Sequence, residues 1–503
     1  MLMTAAGYRE SLRRLTPRVF LNGAAVTSVA DEPRLAPGLN AVGVSYDFAH
    51  TAENKRLMTV PAAGGPINRM LAIDATADDL LSKLEAVRLL CKEAGCAQRY
   101  LAHDAFNALF AATKRADDAD STSYHQRFLD YLADAQARDL ALGIAMTDAK
   151  GDRSLRPSAQ ARPDAHLHIK ERNAKGIVIS GIKAIVTGAP YMHELLVMPS
   201  RTHRPEDSAC AVACAVPIDA PGVTIIARAA GRSGDAAAKF SAKYGQSTAI
   251  VHFEDVFVSH ERVFLAGECE AGGYLTTCYA THHRHSCIGA RAGFGDLLIG
   301  AAGLMTEANG LDPEKYAHIR EAMIELITIT ESFFACGVAA SVYGMRDTAG
   351  CIAPEPVFAN IGKLLLATKI YDMQRLAHYL SGGLIVALPG PDEDHNPETK
   401  ASLAAVFQGR ADIPPEHRRD VARLITDLTA SDEGGWYSVI SLHGGGSPEA
   451  MKREIWRNYP VMEKMELVEK LLGRGLVRAK SDKQPGRCCE QGCETPEAAA
   501  EDA

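Results

Sequence analysis

The segment TAIVHFEDVFVSHERVF, residues 248–264, decides how the middle of the chain is interpreted. It is rich in valine, isoleucine and phenylalanine, which favour extended strands, and several of these residues alternate with polar ones. Other short, β-branched segments precede it and are separated by turn residues such as Gly181 and Pro221-Gly222. The pattern predicts a central antiparallel sheet or barrel, which we place at residues 143–268.

Helical patterns lie on both sides of this central block. Residues 1–142 contain segments whose apolar residues recur every three or four positions, as in DATADDLLSKLEAVRLLCKEAG. Residues 269–478 return to helical patterns, and the run Ala322–Val342 is apolar nearly all round, which indicates a helix buried in a bundle or in a subunit interface. Residues 479–503 are predicted to form a flexible polar tail. The chain is therefore predicted to be an α+β protein.

The composition excludes several classes of protein. The chain has 503 residues, a net charge of -8 and no basic stripe, so we do not expect it to bind nucleic acid. It has no apolar signal segment and no uninterrupted apolar run long enough to span a bilayer, so we predict a cytoplasmic protein without a membrane anchor. Its 12 cysteines are then expected to be reduced thiols. No glycine-rich phosphate loop follows a strand in the pattern typical of nucleotide-binding folds.

Several segments together carry a resemblance to a known family. The segments are TPRVFLNG (16–23), NAVGVSYDFAH (40–50), AMTDAKGDRSLRPSAQ (145–160), IKAIVTGAPYMHELLVMP (182–199), SGGLIVALP (381–389) and HGGGSPEA (443–450). Through them the chain resembles the 4-hydroxybutyryl-CoA dehydratase/vinylacetyl-CoA isomerase branch of the 4-hydroxyphenylacetate 3-hydroxylase (oxygenase component) family. The resemblance implies an acyl-CoA dehydrogenase-like fold with an N-terminal helical domain, a central antiparallel β-barrel and a C-terminal helical bundle, assembled as a homotetramer.

The resemblance also implies FAD as the cofactor. Thr187 would donate a hydrogen bond near the reactive edge of the flavin ring, and Lys150 and Arg153 would serve its pyrophosphate, which cationic side chains bind well. The residues expected to line the cofactor are Met146, Thr147, Asp148, Lys150, Asp152, Arg153 and Thr187.

The dehydratase branch carries a [4Fe-4S] cluster on three cysteines and one histidine, and this chain departs from that ligand set. In CAQRY (96–100) the first cysteine is kept as Cys96, but Tyr100 stands at the second ligand position. In HRHSCIGA (283–290) the histidine is kept as His283, but Ala290 stands where the third cysteine would be. Alanine cannot ligate iron and a phenol is poorly matched to an iron-sulfur cluster. We therefore predict that the cluster is absent and that no metal is bound.

His283 and Cys287 are the candidate catalytic residues. His283 is an acid or base whose ordinary pKa is close to neutrality, and Cys287 stands where the family has a tyrosine. Ile440 stands at the position where the family has a glutamate that acts as a base. A rearranged cluster on Cys91, Cys96, His283 and Cys287 is an alternative, although a five-residue separation would turn Cys91 and Cys96 apart on one helix.

Three functions remain open from the sequence. The first is a flavoenzyme acting on a small acyl-CoA or related acyl substrate by redox chemistry, dehydration or double-bond isomerisation. The second is a two-component aromatic monooxygenase supplied with reduced flavin by a flavin reductase, although LAHDA (101–105) keeps only Asp104 of the motif of that branch. The third is a non-catalytic relative kept as a flavin-binding or subunit-forming protein. The tail cysteines Cys488, Cys489 and Cys493 have no fourth ligand nearby, so a complete zinc site is not expected there.

Overall fold

The structure, a computed structural model, describes residues 2–473, so the predicted tail and its three cysteines lie outside the described residues. The N-terminal part is mainly helical, as predicted, but it also contains four short strands that the sequence did not indicate. Helix α4 begins at a capping box in which Thr76 and Asp79 exchange hydrogen bonds. The elements are α1 Ala5–Leu12, β1 Val19–Leu21, β2 Ala24–Ala25, α2 Ala36–Asp47, α3 Lys55–Met58, β3 Thr59–Val60, β4 Ile67–Asn68, α4 Ala77–Ala94, α5 Tyr100–Asp120 and α6 Tyr124–Arg138.

The central strands form two sheets within residues 2–473, and each contains one parallel pairing, whereas the sequence predicts an antiparallel sheet or barrel. One sheet has the order β2-β1-β10-β11-β7-β6 and the other β12-β9-β8-β5. The pairings of β1 with β10 and of β5 with β8 are parallel, because β1 and β5 reach the sheets from outside the antiparallel meander. The strands are β5 Leu142–Ala145, β6 His168–Asn173, β7 Gly176–Thr187, β8 Glu194–Val197, β9 Val212–Pro217, β10 Val223–Ala227, β11 Thr248–Ser259 and β12 Val263–Ala266.

A buried ion pair ties the two sheets together where the chain leaves β5. The Lys183 ammonium lies 2.7 Å from the Asp148 carboxylate, and both side chains are buried. Lys183 also donates to the carbonyls of Met146 and Met198, at 2.8 and 2.9 Å. The segment after β5 is thereby held against β7, and Ala184 N donates to Thr147 O at 2.8 Å.

The C-terminal part is helical, and its central element is α7, which packs against α4, α5, α8 and α9. The crossing of α7 over α4 is close because a Cβ at Gly289 or Gly293 would lie within 2.7 Å of the α4 backbone. The elements are α7 Cys269–Ala308, α8 Ala317–Val342, β13 Met345–Arg346, β14 Ile352–Ala353, α9 Pro356–Leu380, α10 Lys400–Phe407, α11 Pro415–Thr429, α12 Asp432–His443, α13 Pro448–Asn458 and α14 Val461–Leu471.

Two of these helices are long and apolar enough to cross a membrane by length and composition alone. They are α7 and α8, and 67% of the most apolar window of α7 is buried inside the protein against 28% for α8. Helix α7 is therefore apolar because most of its apolar window lies in the core. Helix α8 matches the predicted apolar run, but it exposes side chains such as Ile324 and Ile327.

The Lys183–Asp148 pair gives a test of the fold. Lys183→Ala leaves a buried carboxylate without its counter-charge, and we expect it to lower the free energy of unfolding by about 3–5 kcal/mol. The control is Lys170→Ala, which removes an exposed lysine that also pairs with an aspartate, Asp255, and should cost no more than about 1 kcal/mol. Urea unfolding of both variants checks this. Equal losses would show that the buried pair does not hold the sheets together.

Candidate functional site

A buried carboxylate organises the centre of the helical region. Asp104 of α5 accepts hydrogen bonds from Ser286 Oγ at 2.6 Å and His283 Nδ1 at 3.1 Å, both from α7. Lys83 of α4 lies 3.4 Å from the same carboxylate and donates to Ser286 Oγ at 2.9 Å. Burial alone would raise the pKa of Asp104, but Lys83 and His283 outweigh it and lower that pKa. Three helices are thus joined at one charged group.

The two predicted catalytic residues form a contact pair, as their four-residue spacing on a helix allows. Cys287 Sγ lies 3.6 Å from His283 Nε2. Burial would raise the pKa of Cys287, but the His283 imidazolium, with Lys363 and Arg291, lowers it to about 7. Burial would lower the pKa of His283, but Cys287 and the Asp104 carboxylate raise it to about 9. Between these values the pair is a thiolate beside an imidazolium.

The His283 ring stacks with two buried tyrosines. Tyr279 has its ring centroid 5.4 Å from that of His283, and Tyr100 has its centroid 6.3 Å away. The Tyr100 hydroxyl lies 3.2 Å from Cys96 Sγ. Tyr100 therefore neighbours both Cys96 and His283.

The sequence argument against the rearranged cluster used one wrong premise about geometry. Helix α4 ends at Ala94 and Gly95 caps it with a positive φ of 67°, so Cys96 lies beyond the helix that carries Cys91. The helical register therefore does not separate these thiols. Even so, no group of three or more histidine, cysteine, aspartate or glutamate side chains in residues 2–473 is arranged to hold a metal ion.

The neighbouring histidines serve packing instead of metal binding. His285 Nε2 lies 2.8 Å from Ser341 Oγ, so this ring faces α8 and not the Cys287 pair. His282 is buried, and burial lowers its pKa to about 3, which keeps it neutral. Arg284 donates to Gly445 O at 2.9 Å and so fixes the glycine-rich turn beside the site.

Two lysines and three arginines of this region were not identified from the sequence. Lys83 and Lys363 are buried, and each is the single cation in a buried helical stripe, which is the signal that marks them. A cavity of about 230 Å³ lies toward the N-terminus of α7 and is lined by Arg284, Arg453 and Arg457 together with Glu454. Within it, Arg457 pairs with Glu454 at 2.9 Å.

The predicted flavin residues fall into two groups. Met146, Thr147 and Asp148 lie together against β7, and Thr187 is half-buried at the end of that strand. The Asp148 carboxylate accepts from Ser200 Oγ at 2.7 Å in addition to its pair with Lys183, so its partners lie within the protein. The loop that follows is exposed and carries the remaining predicted residues, Lys150, Asp152 and Arg153.

The segment compared with the monooxygenase motif is engaged in buried contacts. His103 Nε2 donates to Asp74 Oδ1 at 3.2 Å, and the Asp104 carboxylate is held by Lys83, Ser286 and His283. These two side chains stabilise the interior, so they do not form an open pocket for an aromatic substrate.

Comparisons with known proteins agree with this architecture. The chain matches the family profiles "4-hydroxyphenylacetate 3-hydroxylase N terminal" over residues 4–265 and "4-hydroxyphenylacetate 3-hydroxylase C terminal" over residues 273–473. It is 35% identical over 494 residues to the 4-hydroxybutyryl-CoA dehydratase/vinylacetyl-CoA-Δ-isomerase of Clostridium aminobutyricum, which covers 94% of this chain and 100% of that protein.

Two solved structures are similar over nearly the whole chain. An oxygen-tolerant archaeal 4-hydroxybutyryl-CoA dehydratase from N. maritimus is 33% identical with a TM-score of 0.91, covering 96% of this chain and 98% of that one. The oxygenase component of 4-hydroxyphenylacetate 3-monooxygenase complexed with FAD is 22% identical with a TM-score of 0.84, covering 93% and 98%. The second likeness shows the fold alone.

The Cys287–His283 pair gives a pH-dependent prediction. As the pH rises through about 7, Cys287 should lose its proton and its thiolate absorbance should appear in the ultraviolet. His283→Gln removes the imidazolium and should move this midpoint up, toward or beyond the ordinary thiol value near 8.5. Cys214→Ser is the control, because burial raises the pKa of that thiol to about 12. A thiolate signal near pH 7 that survives in Cys287→Ser would contradict the assignment.

Proposed function

The chain belongs to the 4-hydroxyphenylacetate 3-hydroxylase family, and we propose that within it the protein is an FAD-dependent enzyme that acts on a small acyl-CoA without an iron-sulfur cluster. The sequence resemblance to the dehydratase branch is confirmed by the 35% identity over nearly the full chain. The reaction that the site supports best is a shift of a double bond in an acyl thioester.

The observation that carries the proposal is the position of Tyr100. Its hydroxyl contacts Cys96 and its ring stacks with His283, so a phenol side chain neighbours both retained cluster positions. Ala290, at a third position, has no ligand atom. A dehydration would lose the Lewis acid that the cluster provides to the leaving hydroxyl. A double-bond shift needs no leaving group.

The residues present fit FAD. Lys150 and Arg153 are exposed cations on the loop after β5 and suit a pyrophosphate. His203 is buried near Asp148, and neither of its ring nitrogens has a partner among the described residues, so it has donor and acceptor capacity to offer. Met146, Thr147 and Thr187 would contact the cofactor, Lys150, Asp152 and Arg153 would lie near its phosphates, and Asp148 would hold the loop in place. When bound, FAD supplies electron transfer.

The Cys287–His283 pair supplies the proton chemistry. A double-bond shift removes a proton from one carbon and delivers one to another. The thiolate of Cys287 accepts a proton and the imidazolium of His283 donates one, and their atoms lie 3.6 Å apart. Lys363 and Arg291 are the cations that face this pair and would stabilise the negative charge that develops on the thioester oxygen.

The exposed apolar face of α8 supports a homotetramer. Only 28% of its most apolar window is buried within one chain, which leaves side chains such as Ile327 uncovered. Large apolar surfaces of this kind are usually covered by another subunit. We place the assembled protein in the cytoplasm, as the composition predicts.

Turnover of a four-carbon acyl-CoA tests the proposal. The FAD-loaded protein should convert a β,γ-unsaturated acyl-CoA to its α,β isomer, and His283→Gln should lower kcat by about 100-fold or more with FAD binding unchanged. The matched control is His285→Gln, on the same helix but facing α8. Chromatography of the acyl-CoA products measures turnover, and the flavin absorbance measures FAD binding.

Three results would count against the proposal. Unchanged kcat in His283→Gln would remove this residue from the reaction. Loosely held flavin, with oxygen-dependent hydroxylation of a phenol when a flavin reductase is added, would favour the monooxygenase function. Failure to bind any flavin would leave only the non-catalytic alternative.

A further inference from the structure

Cys287 differs from the other described thiols because a base and a carboxylate are aligned behind it. Its Sγ lies 3.6 Å from His283 Nε2, and His283 Nδ1 donates to Asp104 Oδ2 at 3.1 Å. A thiol, an imidazole and a carboxylate in this order form the arrangement by which enzymes activate a nucleophile through an oriented base. Among the thiols of residues 2–473, burial instead raises the pKa of others such as Cys91 and Cys214.

The base is oriented by its partners. Asp104 is fixed by Lys83 and Ser286, so it holds Nδ1 of the imidazole and directs Nε2 toward the thiol. The rings of Tyr100 and Tyr279 also stack with the imidazole. The imidazole is therefore pre-organised to take the thiol proton and to return it.

Two buried cations act on the thiol as well. Arg291, one turn beyond Cys287, donates to Ser441 Oγ at 2.6 Å, and Lys363 donates to Ser441 O at 2.8 Å. Both act on the charge of Cys287, and both retain further N–H groups. Negative charge that moves onto a bound carbonyl oxygen would be stabilised here.

We propose that Cys287 is a nucleophile that adds to the β carbon of α,β-unsaturated acyl thioesters, with His283 as its base and Asp104 as a positioning residue. The choice of an acyl thioester rests on the proposed function. His283 takes the proton from Cys287, the sulfur–carbon bond forms at the β carbon, and the π electrons move to the α carbon and the carbonyl oxygen. His283 then delivers the same proton to the α carbon. The product is a thioether of the intact acyl thioester, and no oxidant or reductant is consumed.

The alternative attack, on the thioester carbonyl, is not supported by the backbone. Cys287 lies in the middle of α7, where its N–H is committed to the helix. A tetrahedral oxyanion needs such donors close to the nucleophile. Conjugate addition places the charge several bonds away from the sulfur, toward the side chains of Arg291 and Lys363.

Mass spectrometry of the full-length protein with a four-carbon trans-2-enoyl-CoA tests the proposal. We expect a mass gain equal to the whole enoyl-CoA on Cys287, and no such gain in Cys287→Ser. His283→Gln should slow formation of the adduct about tenfold, because the thiolate fraction falls near neutral pH. Cys269, at the start of α7, is half-buried, and its Sγ donates to the carbonyls of Arg204 and Gly267 instead of facing a base, so it serves as an internal reference thiol.

A second set of measurements separates positioning from structural loosening. Iodoacetamide should label Cys287 before the more exposed Cys269, and Asp104→Asn should lower the ratio of the two labelling rates. General loosening of the protein would raise both rates instead, and that result would refute the role of Asp104.

Three outcomes would refute the assignment of Cys287 as the nucleophile. Earlier labelling of Cys269, no adduct with the enoyl-CoA, or gain of the acyl group alone with release of coenzyme A would each overturn conjugate addition. An adduct without isomerase turnover would support this inference and reject the proposed reaction. Turnover without an adduct would support the proposed reaction and reject conjugate addition.

Discussion

The structure of the helical region depends on one buried carboxylate. Asp104 is fully enclosed, and it is tolerated only because Lys83, Ser286 and His283 satisfy it. Loss of one partner in such a network leaves an uncompensated buried charge, so the members of the network depend on one another. The network joins α4, α5 and α7, and the close crossing of α4 and α7 at Gly289 and Gly293 brings its members within reach.

The same network connects the interior to chemistry. Asp104 orients His283, His283 contacts Cys287, and the stacked tyrosines hold the imidazole in place. One of those tyrosines, Tyr100, stands at a position where the family has a cluster ligand. We interpret the site as one in which a metal-based electrophile has been replaced by a thiol–imidazole pair on an unchanged scaffold, since function follows the groups in the site and not the fold.

Local sequence patterns predicted what depends on local geometry. The order of helical and β segments, the long apolar α8 and the contact between His283 and Cys287 all follow from residue spacing along one element. The strand order could not be predicted, because the parallel pairing of β1 with β10 joins residues some two hundred positions apart. The register argument about Cys91 and Cys96 failed at Gly95, which ends α4 between them. Lys83 and Lys363 each stand out as a cation in a buried helical stripe, but the groups that they contact depend on tertiary packing.

We propose that Tyr100 and Ala290 remove two ligand positions of the family cluster. Iron and acid-labile sulfide analysis, with a visible spectrum, of the protein purified without oxygen tests this. We expect a flavin spectrum without stoichiometric iron or sulfide, and we expect the double variant Tyr100→Cys/Ala290→Cys to gain both on reconstitution. Stoichiometric iron and sulfide in the unaltered protein would contradict it.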